Sequence, residues 1–235
     1  MASAGFSMKS TLRKTVLEAY RSRGKSINNL WLVYSAKTNS DWTLPSDRQL
    51  IHWLYFLEAN PDVSTFDLAP KPILSEDENE TRATELDALV TPRMGPVEWH
   101  EVKAGRGKND PAHASQATAQ ARAAEKEHAS YRRFDDTDLK PNVKVAMRWA
   151  KAMSFAAAIA GQEYIACRTS MLLVFRSRGS GTVKQLLDDL AECDSAVVHG
   201  MLVRLAVAGI VRMDLSVATY GLTTCWKYHG DGTEV

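Results

Sequence analysis

Apolar residues recur at helical spacing through Leu50, Ile51, Leu54, Phe56 and Leu57, which predicts a helix from about Arg48 to Ala59. Ser46 or Asp47 is placed to cap its start, and Asn60-Pro61-Asp62 stops it. Val63–Leu68 reads as a strand ended by Pro70-Lys71-Pro72. Two further segments have strand character, Glu85–Val90 and Val97–Lys103. The connection between them, Thr91-Pro92-Arg93-Met94-Gly95-Pro96, is short and rich in proline and glycine, which favours antiparallel neighbours. An alanine-rich helix over Ala114–Ser130, a strand at Tyr131–Phe134 and a new element from Asp138 follow. The pattern is weak elsewhere in this half. Residues 1–44 read as a basic, irregular segment with one short helix at Leu12–Tyr20. Glu76–Glu80 reads as an acidic exposed turn, and Ala104–Pro111 as a glycine- and lysine-rich loop.

The composition shifts near Pro141. Val143–Ala160 and Glu163–Phe175 are helical, Arg176–Thr182 is a basic loop, and helices fit Val183–Leu190 and Ser195–Ala208. The last of these puts Val197, Val198, Met201, Leu202 and Leu205 on one face, with Gly209 as its stop. Ile210–Leu215 and Tyr220–Thr223 alternate like a small hairpin, so the order is that of a winged helix. The expected fold class is α/β, in three segments: a basic N-terminal stretch over 1–44, an α/β domain over 45–140 and a mostly helical winged-helix-like domain over 141–235.

Length and composition agree with two small domains: 235 residues, 45% hydrophobic and 24% charged. A net charge of +1 argues against a uniformly basic coating protein, but the charge is unevenly spread. Residues 1–40 carry Lys9, Arg13, Lys14, Arg21, Arg23, Lys25 and Lys37 against Glu18, whereas residues 75–101 are strongly acidic. A basic rim beside an acidic pocket suits a metal-dependent enzyme acting on a polyanion. Cys167, Cys193 and Cys225 form no CxxC pair, and an odd, widely spaced set predicts a reducing compartment. No secretory signal is readable, and no apolar run approaches the roughly 20 residues needed to span a bilayer. The expectation is a soluble, cytoplasmic protein with no membrane partner.

The sharpest chemistry is Leu86-Asp87-Ala88 followed, across one turn, by His100-Glu101-Val102-Lys103. On a strand Glu101 and Lys103 leave the same face. With the Asp87 strand beside them, two carboxylates and an ammonium converge. Carboxylates of this kind suit Mg²⁺, with Mn²⁺ as the alternative ion, and the Val102 carbonyl is a further candidate ligand. Lys103 would orient or deprotonate an attacking water and stabilise the transition state. The bland alternative is an exposed Glu101–Lys103 ion pair worth about 0–1 kcal/mol.

The helix ending in Leu57-Glu58-Ala59-Asn60-Pro61-Asp62-Val63, the strand to Ala69-Pro70, then Asp87 and Glu101-Val102-Lys103 resemble the PD-(D/E)xK nuclease superfamily, in the order seen in TnsA-like endonucleases. The C-terminal half resembles that family's second domain, so the likeness spans roughly residues 40–225. It implies a restriction-endonuclease-like core whose catalytic residues are Asp87, Glu101 and Lys103. The implied activity is a Mg²⁺-dependent endonuclease nicking the 5′ ends of a transposon. Its implied partners are DNA, a TnsB-like DDE transposase subunit and a TnsC-like AAA+ ATPase regulator. The family carries a catalytic glutamate on the first helix, where this chain reads Asp47-Arg48-Gln49-Leu50. Gln49, through its amide oxygen, or Asp47 is then the candidate replacement. Glu58 falls where the family has a non-catalytic residue.

Several side chains carry weaker signals. Arg106 and Lys108 follow the catalytic strand in a loop suited to phosphate contact, or simply to solvent. Gln116 and Gln120 lie one helical turn apart and could face the site, as glutamines do in related nucleases. His100 alternates with Glu101 and is expected to pack away from the site. In the C-terminal half, Arg176, Arg178 and Lys184 are candidate phosphate contacts, while Ser195–Ala208 offers only His199 and Arg204 for groove reading. Two rival functions stay open: a standalone restriction- or repair-type nuclease, and a non-catalytic DNA-binding adaptor with a decayed nuclease core.

Overall fold

The N-terminal stretch contains more structure than its irregular pattern predicts. In the computed structural model, which describes residues 13, 15–22, 29–77, 80–105 and 111–230, a helix covers Val16–Ser22 (α1), overlapping the expected Leu12–Tyr20. Trp31–Ser35 (β1) and Ser40–Leu44 (β2) then form a two-stranded sheet. Asn39 takes a left-handed conformation (φ 48°) at the tip, one of the few non-glycine residues able to do so at low cost. Trp42, Thr43 and Leu44 are buried, so the second strand is anchored by its side chains.

The helix predicted over Arg48–Ala59 forms, with a change of pitch inside it. Ser46 is extended and its hydroxyl accepts the Gln49 N–H, which starts helix α2 at Asp47–His52. Trp53–Glu58 then continues as a π-helical turn in which the Ala59 N–H reaches back to the Leu54 carbonyl. The wider turn still leaves Leu50, Trp53, Leu54 and Leu57 buried.

The central sheet of this part has four strands: β3 (Val63–Asp67), β6 (Ala88–Pro92), β7 (Glu98–Val102) and β8 (Ser130–Phe134), in the order β3-β6-β7-β8. The first three are antiparallel neighbours, as the short proline–glycine connection predicted. β8 lies parallel to β7, which requires a long crossover; helix α3 (Pro111–Lys126) supplies it. Leu86, Trp99, Ala123 and Ala124 form a core between sheet and helix, joined by Leu89, Val97 and Tyr131. The expected acidic turn at Glu76–Glu80 is instead part of a hairpin, β4 (Ile73–Asp77) with β5 (Glu80–Thr84). From Ser75 to Arg82 every side chain is polar, so backbone pairing there is invisible to a hydropathy reading. Asp135 and Asp138 form a capping box that starts the short helix α4 (Asp136–Leu139).

The C-terminal part runs α5 (Val143–Ala158), α6 (Ile165–Arg178), β9 (Ser180–Thr182), α7 (Val183–Asp189), α8 (Ser195–Val207), β10 (Val211–Met213) and β11 (Cys225–Tyr228). The stretch expected to be a loop, Arg176–Thr182, thus ends a helix and adds a strand. The sheet order is β10-β11-β9, all antiparallel. The hairpin's second strand lies at Cys225–Tyr228 rather than at Tyr220–Thr223. Tyr220 is buried as a strand residue would be, but from a loop, with its hydroxyl 2.9 Å from His199 Nδ1. Gly209 (φ 78°) ends α8 as predicted.

Helix α8 is the core of this part. Val198, Met201, Leu202, Val203, Leu205, Ala206 and Val207 are all buried, more than one face of a helix can hold. Its closest neighbour is α5: a Cβ built on Gly200 would stand 2.6 Å from the Phe155 carbonyl oxygen and 2.7 Å from Ile159. Gly200→Ala must therefore push the two helices apart, and we expect it to cost about 1–3 kcal/mol, read by denaturant unfolding.

Contacts divide the chain into two interleaved units: Met1–Val33, Asp41–Trp53 and Val63–Pro141 in one, and Tyr34–Ser40, Leu54–Asp62 and Asn142–Val235 in the other. Consecutive segments 1–44, 45–140 and 141–235 were expected. Within the second unit, Glu58 ties Ser35, Ala36 and Lys37 to the end of the π turn. Among the described residues no helix is long and apolar enough to cross a membrane.

Candidate active site

Asp87 sits in a bend just before β6, where its N–H donates to the His100 carbonyl at 3.0 Å. That bond fixes it against the end of β7. Its carboxylate turns to the same strand: Oδ2 accepts the Val102 N–H at 2.7 Å. Oδ1 accepts from Gln49 Nε2 at 3.2 Å and from Arg13 Nη2 at 2.6 Å. Gln49 reaches it from the first turn of α2, the turn that Ser46 caps.

Glu101 and Lys103 leave one face of β7, as their spacing predicted. Lys103 Nζ lies 2.6 Å from Glu101 Oε1, and the Lys103 N–H extends the parallel ladder to the Phe134 carbonyl at 2.9 Å. The ion pair is not the exposed edge-strand pair of the bland reading, because the Glu101 carboxylate is 3% exposed. Its second oxygen accepts the Tyr131 hydroxyl proton at 2.5 Å. The same hydroxyl is 2.8 Å from the side-chain amide of Gln120, which is fully buried on α3. The hydroxyl thus lies between two acceptor oxygens, Glu101 Oε2 and Gln120 Oε1. Burial, then the bond to Glu101, raises the Tyr131 pKa far above its ordinary value, and Asp87 adds to the effect. Tyr131 therefore stays a donor, and both carboxylates act on it.

His100 packs on the opposite face, as its alternation with Glu101 predicted. Its Nδ1 is 3.0 Å from His52 Nε2, its Nε2 is 2.8 Å from Glu98 Oε2, and Phe134 packs at a tilt against both rings. The chain of bonds fits neutral rings, with His52 Nε2–H donating to His100 and His100 Nε2–H donating to Glu98. Burial holds His52 well below its ordinary pKa of 6.5. A lowered folded-state value means that the unfolded chain binds the proton first. Stability is then fully present above about pH 6.5 and is lost as pH falls below it, by about 1.4 kcal/mol per pH unit for His52. Denaturant unfolding of metal-free protein between pH 7.5 and 5 reads this, and His52→Phe should flatten the slope by one proton.

The other expected residues divide cleanly. Arg106 and Lys108 lie outside the described residues. Gln116 is exposed on α3, one turn from the buried Gln120. Arg176 and Arg178 are exposed in the last turn of α6, and Arg178 is paired with Asp189 at 2.8 Å. The two side chains expected to present α8 to a groove are engaged elsewhere. Arg204 donates to the carbonyls of Gln162 and Ile159, and His199 meets Tyr220. A helix buried nearly all round is a core element, so α8 is not an exposed recognition helix. Glu58 is fully buried and bound to Ser35 within its own unit.

Two site residues escaped the sequence reading. Tyr131 was placed on a strand but given no role, although its position opposite Trp99 in the parallel register could have flagged it. Arg13 was one cation among seven in a basic segment, with no local signal to mark it.

Among the described residues no group of three or more His, Cys, Asp or Glu side chains is arranged to hold a metal ion. The oxygens gathered here are of mixed kind: the Asp87 and Glu101 carboxylates, the Val102 carbonyl and the Gln49 amide oxygen. That last atom is buried and has no hydrogen-bond partner, an acceptor in search of a donor or a cation. A hard ion that retains several waters suits such a set. No protein-family model matches the chain, and no curated protein matches it.

Proposed function

We propose that this chain is a Mg²⁺-dependent DNA endonuclease of the PD-(D/E)xK type, acting on transposon ends as the TnsA-like subunit of a heteromeric transposase. The observation that carries the reading is the convergence of Asp87, Glu101 and Lys103 at the end of β7, with the unpartnered Gln49 oxygen beside Asp87. The antiparallel β3-β6-β7 meander, extended by a parallel β8 through α3, is the arrangement such a core needs and supports the same reading. The helix–strand–helix–helix–strand–strand order of the C-terminal unit, with β9 beside β11, supports a winged-helix-like second domain.

Asp87, Glu101, the Val102 carbonyl and Gln49 would hold the ion. When bound, Mg²⁺ supplies an activated water and neutralises charge gathering on the phosphate. The protein's own groups do the rest. Tyr131 holds Glu101 from one side and leaves its other oxygen to Lys103. The Lys103 ammonium, its stem largely buried and its tip at the carboxylate, orients the attacking water and stabilises the negative charge that develops as the water oxygen bonds to phosphorus and the opposite P–O bond breaks. Gln49 replaces the family's helix glutamate, so the site carries one negative charge fewer. A TnsB-like DDE subunit, a TnsC-like ATPase and DNA are the partners this reading requires.

The test is strand-specific mapping of breaks on transposon-end DNA with Mg²⁺ or Mn²⁺, with and without the DDE subunit, for wild type and Asp87→Asn. Breaks at the 5′ ends that vanish in Asp87→Asn are the expected result, and breaks that survive it refute the site. Robust cutting of unrelated plasmid by the chain alone favours the standalone nuclease. Transposition that proceeds unchanged in Asp87→Asn favours the non-catalytic adaptor, for which the missing helix acid is the specific observation.

A further inference from the structure

We infer that Arg13 occupies the cation site of the resting protein, so that binding a divalent ion requires the N-terminal segment to release it. The inference rests on the metal site proposed above. A buried arginine is held there by the very group assigned to the ion: Arg13 Nη2 lies 2.6 Å from Asp87 Oδ1, with the two side chains 4% and 5% exposed. Nη1 donates to the carbonyls of Asp87 and Leu68. These contacts span 55 and 74 residues of sequence, so they are tertiary and not an accident of local geometry.

The competition follows from charge and from valence. A divalent cation takes carboxylate oxygens at about 2.0–2.1 Å, and a guanidinium on the same oxygen would face it as an unscreened like charge in a buried site. Oδ1 already carries Arg13 and Gln49, while Oδ2 carries the Val102 N–H. The state of Gln49 is the telling detail. With Arg13 in place the amide gives its NH₂ to Asp87 and leaves its oxygen buried without a partner. Half a turn of that amide would aim its oxygen where an entering cation sits. The guanidinium serves Asp87 well and Gln49 badly, whereas a hard cation would satisfy both. Arg13 lies shortly before α1 in the chain, so loading the ion and freeing the segment that carries α1 are coupled.

The experiment is a calorimetric Mn²⁺ titration of the full chain for wild type, Arg13→Gln and Asp87→Asn. The expected result is Mn²⁺ binding at least tenfold tighter in Arg13→Gln than in wild type, and lost in Asp87→Asn. Equal or weaker binding in Arg13→Gln, with binding still lost in Asp87→Asn, overturns the inference and leaves the metal site standing. Mn²⁺ binding that survives Asp87→Asn, or is absent from every variant, overturns the site and the inference together. A second measurement needs no variant to fold: Mn²⁺ should speed tryptic cleavage of wild type after Arg13 and Arg21, and an unchanged rate counts against release.

Discussion

Lys103→Met is expected to lower Mg²⁺-dependent DNA cleavage at least about 10³-fold while leaving metal binding intact. The ammonium lies against Glu101, so the substitution removes one positive charge from the place where negative charge gathers in the transition state. Groups that stabilise such charge are worth about 10²–10³ in rate, and one that also orients the attacking water is worth more. Lysine carries no lone pair while protonated and is not a ligand, so the Mn²⁺ affinity of Lys103→Met should stay at the wild-type value or rise as a like charge leaves. Asp87→Asn should lose both binding and cleavage. Single-turnover cleavage beside a calorimetric titration separates the two, and a Lys103→Met protein cutting within tenfold of wild type ends the catalytic assignment. The alternative in which Lys103 only steadies Glu101 predicts something different. Tyr131 still donates to Glu101 after the substitution, and Lys103→Arg, which keeps the ion pair, would then restore activity. Under the catalytic reading Lys103→Arg restores the pairing but not the rate, because a broad planar guanidinium cannot place its N–H groups on the water and the phosphate as the compact ammonium does.

The parts of the fold that were legible in sequence were those where alternation and punctuation agree. β6 and β7 stand out because apolar positions alternate on either side of a proline–glycine turn, and α3 because alanine has little competing preference. From that register alone Glu101 and Lys103 had to share a face, with His100 on the other. What could not be read depends on distance in sequence or on polar strands. The β4–β5 hairpin is paired through its backbone while its sequence from Ser75 to Arg82 is polar throughout. β9 is Ser-Gly-Thr, indistinguishable from a loop until β11 lies beside it. The α8 helix looked amphipathic, with His199 and Arg204 as its polar face. Both are drawn inward by partners 21 and 45 residues away, a loop hydroxyl and a helix-end carbonyl. Arg13 reaches Asp87 over 74 residues, and nothing within its own segment distinguishes it from Lys9 or Lys14. That the first turn of α2 carries Gln49 and no glutamate was legible in the sequence. The arginine that accompanies its absence was not.

Glu58→Ala is expected to destabilise the unit that contains it by about 3–5 kcal/mol, a large share of the roughly 5–15 kcal/mol that holds a typical domain. Glu58 ends the π turn fully buried, and its carboxylate takes the Ser35 hydroxyl at 2.7 Å and the N–H groups of Ala36 and Lys37 at 2.7 and 3.3 Å. The Ser35 hydroxyl in turn accepts the Thr38 N–H at 3.0 Å, so the whole tip of the β1–β2 hairpin hangs on this side chain. Lys37 completes the clasp by donating Nζ to the carbonyl of Leu57 at 2.7 Å. Alanine leaves those donors in a dry site without an acceptor, and each buried unsatisfied donor costs about 1–3 kcal/mol. Glu58→Gln keeps one acceptor oxygen and should cost less, about 1–2 kcal/mol. The two forms should also differ in pH response. Burial raises the Glu58 pKa above its ordinary 4.5, more than the hydrogen bond from Ser35 lowers it. A folded-state value raised above the unfolded one means that the folded protein holds the proton longer. This stabilising contribution is complete below pH 4.5 and fades as pH rises through the folded value. The advantage of wild type over Glu58→Gln should therefore be larger near pH 4.5 than near pH 8. Denaturant unfolding of the three proteins at both pH values measures it, and a Glu58→Ala penalty under 1 kcal/mol would show that the hairpin tip is held by something other than this carboxylate.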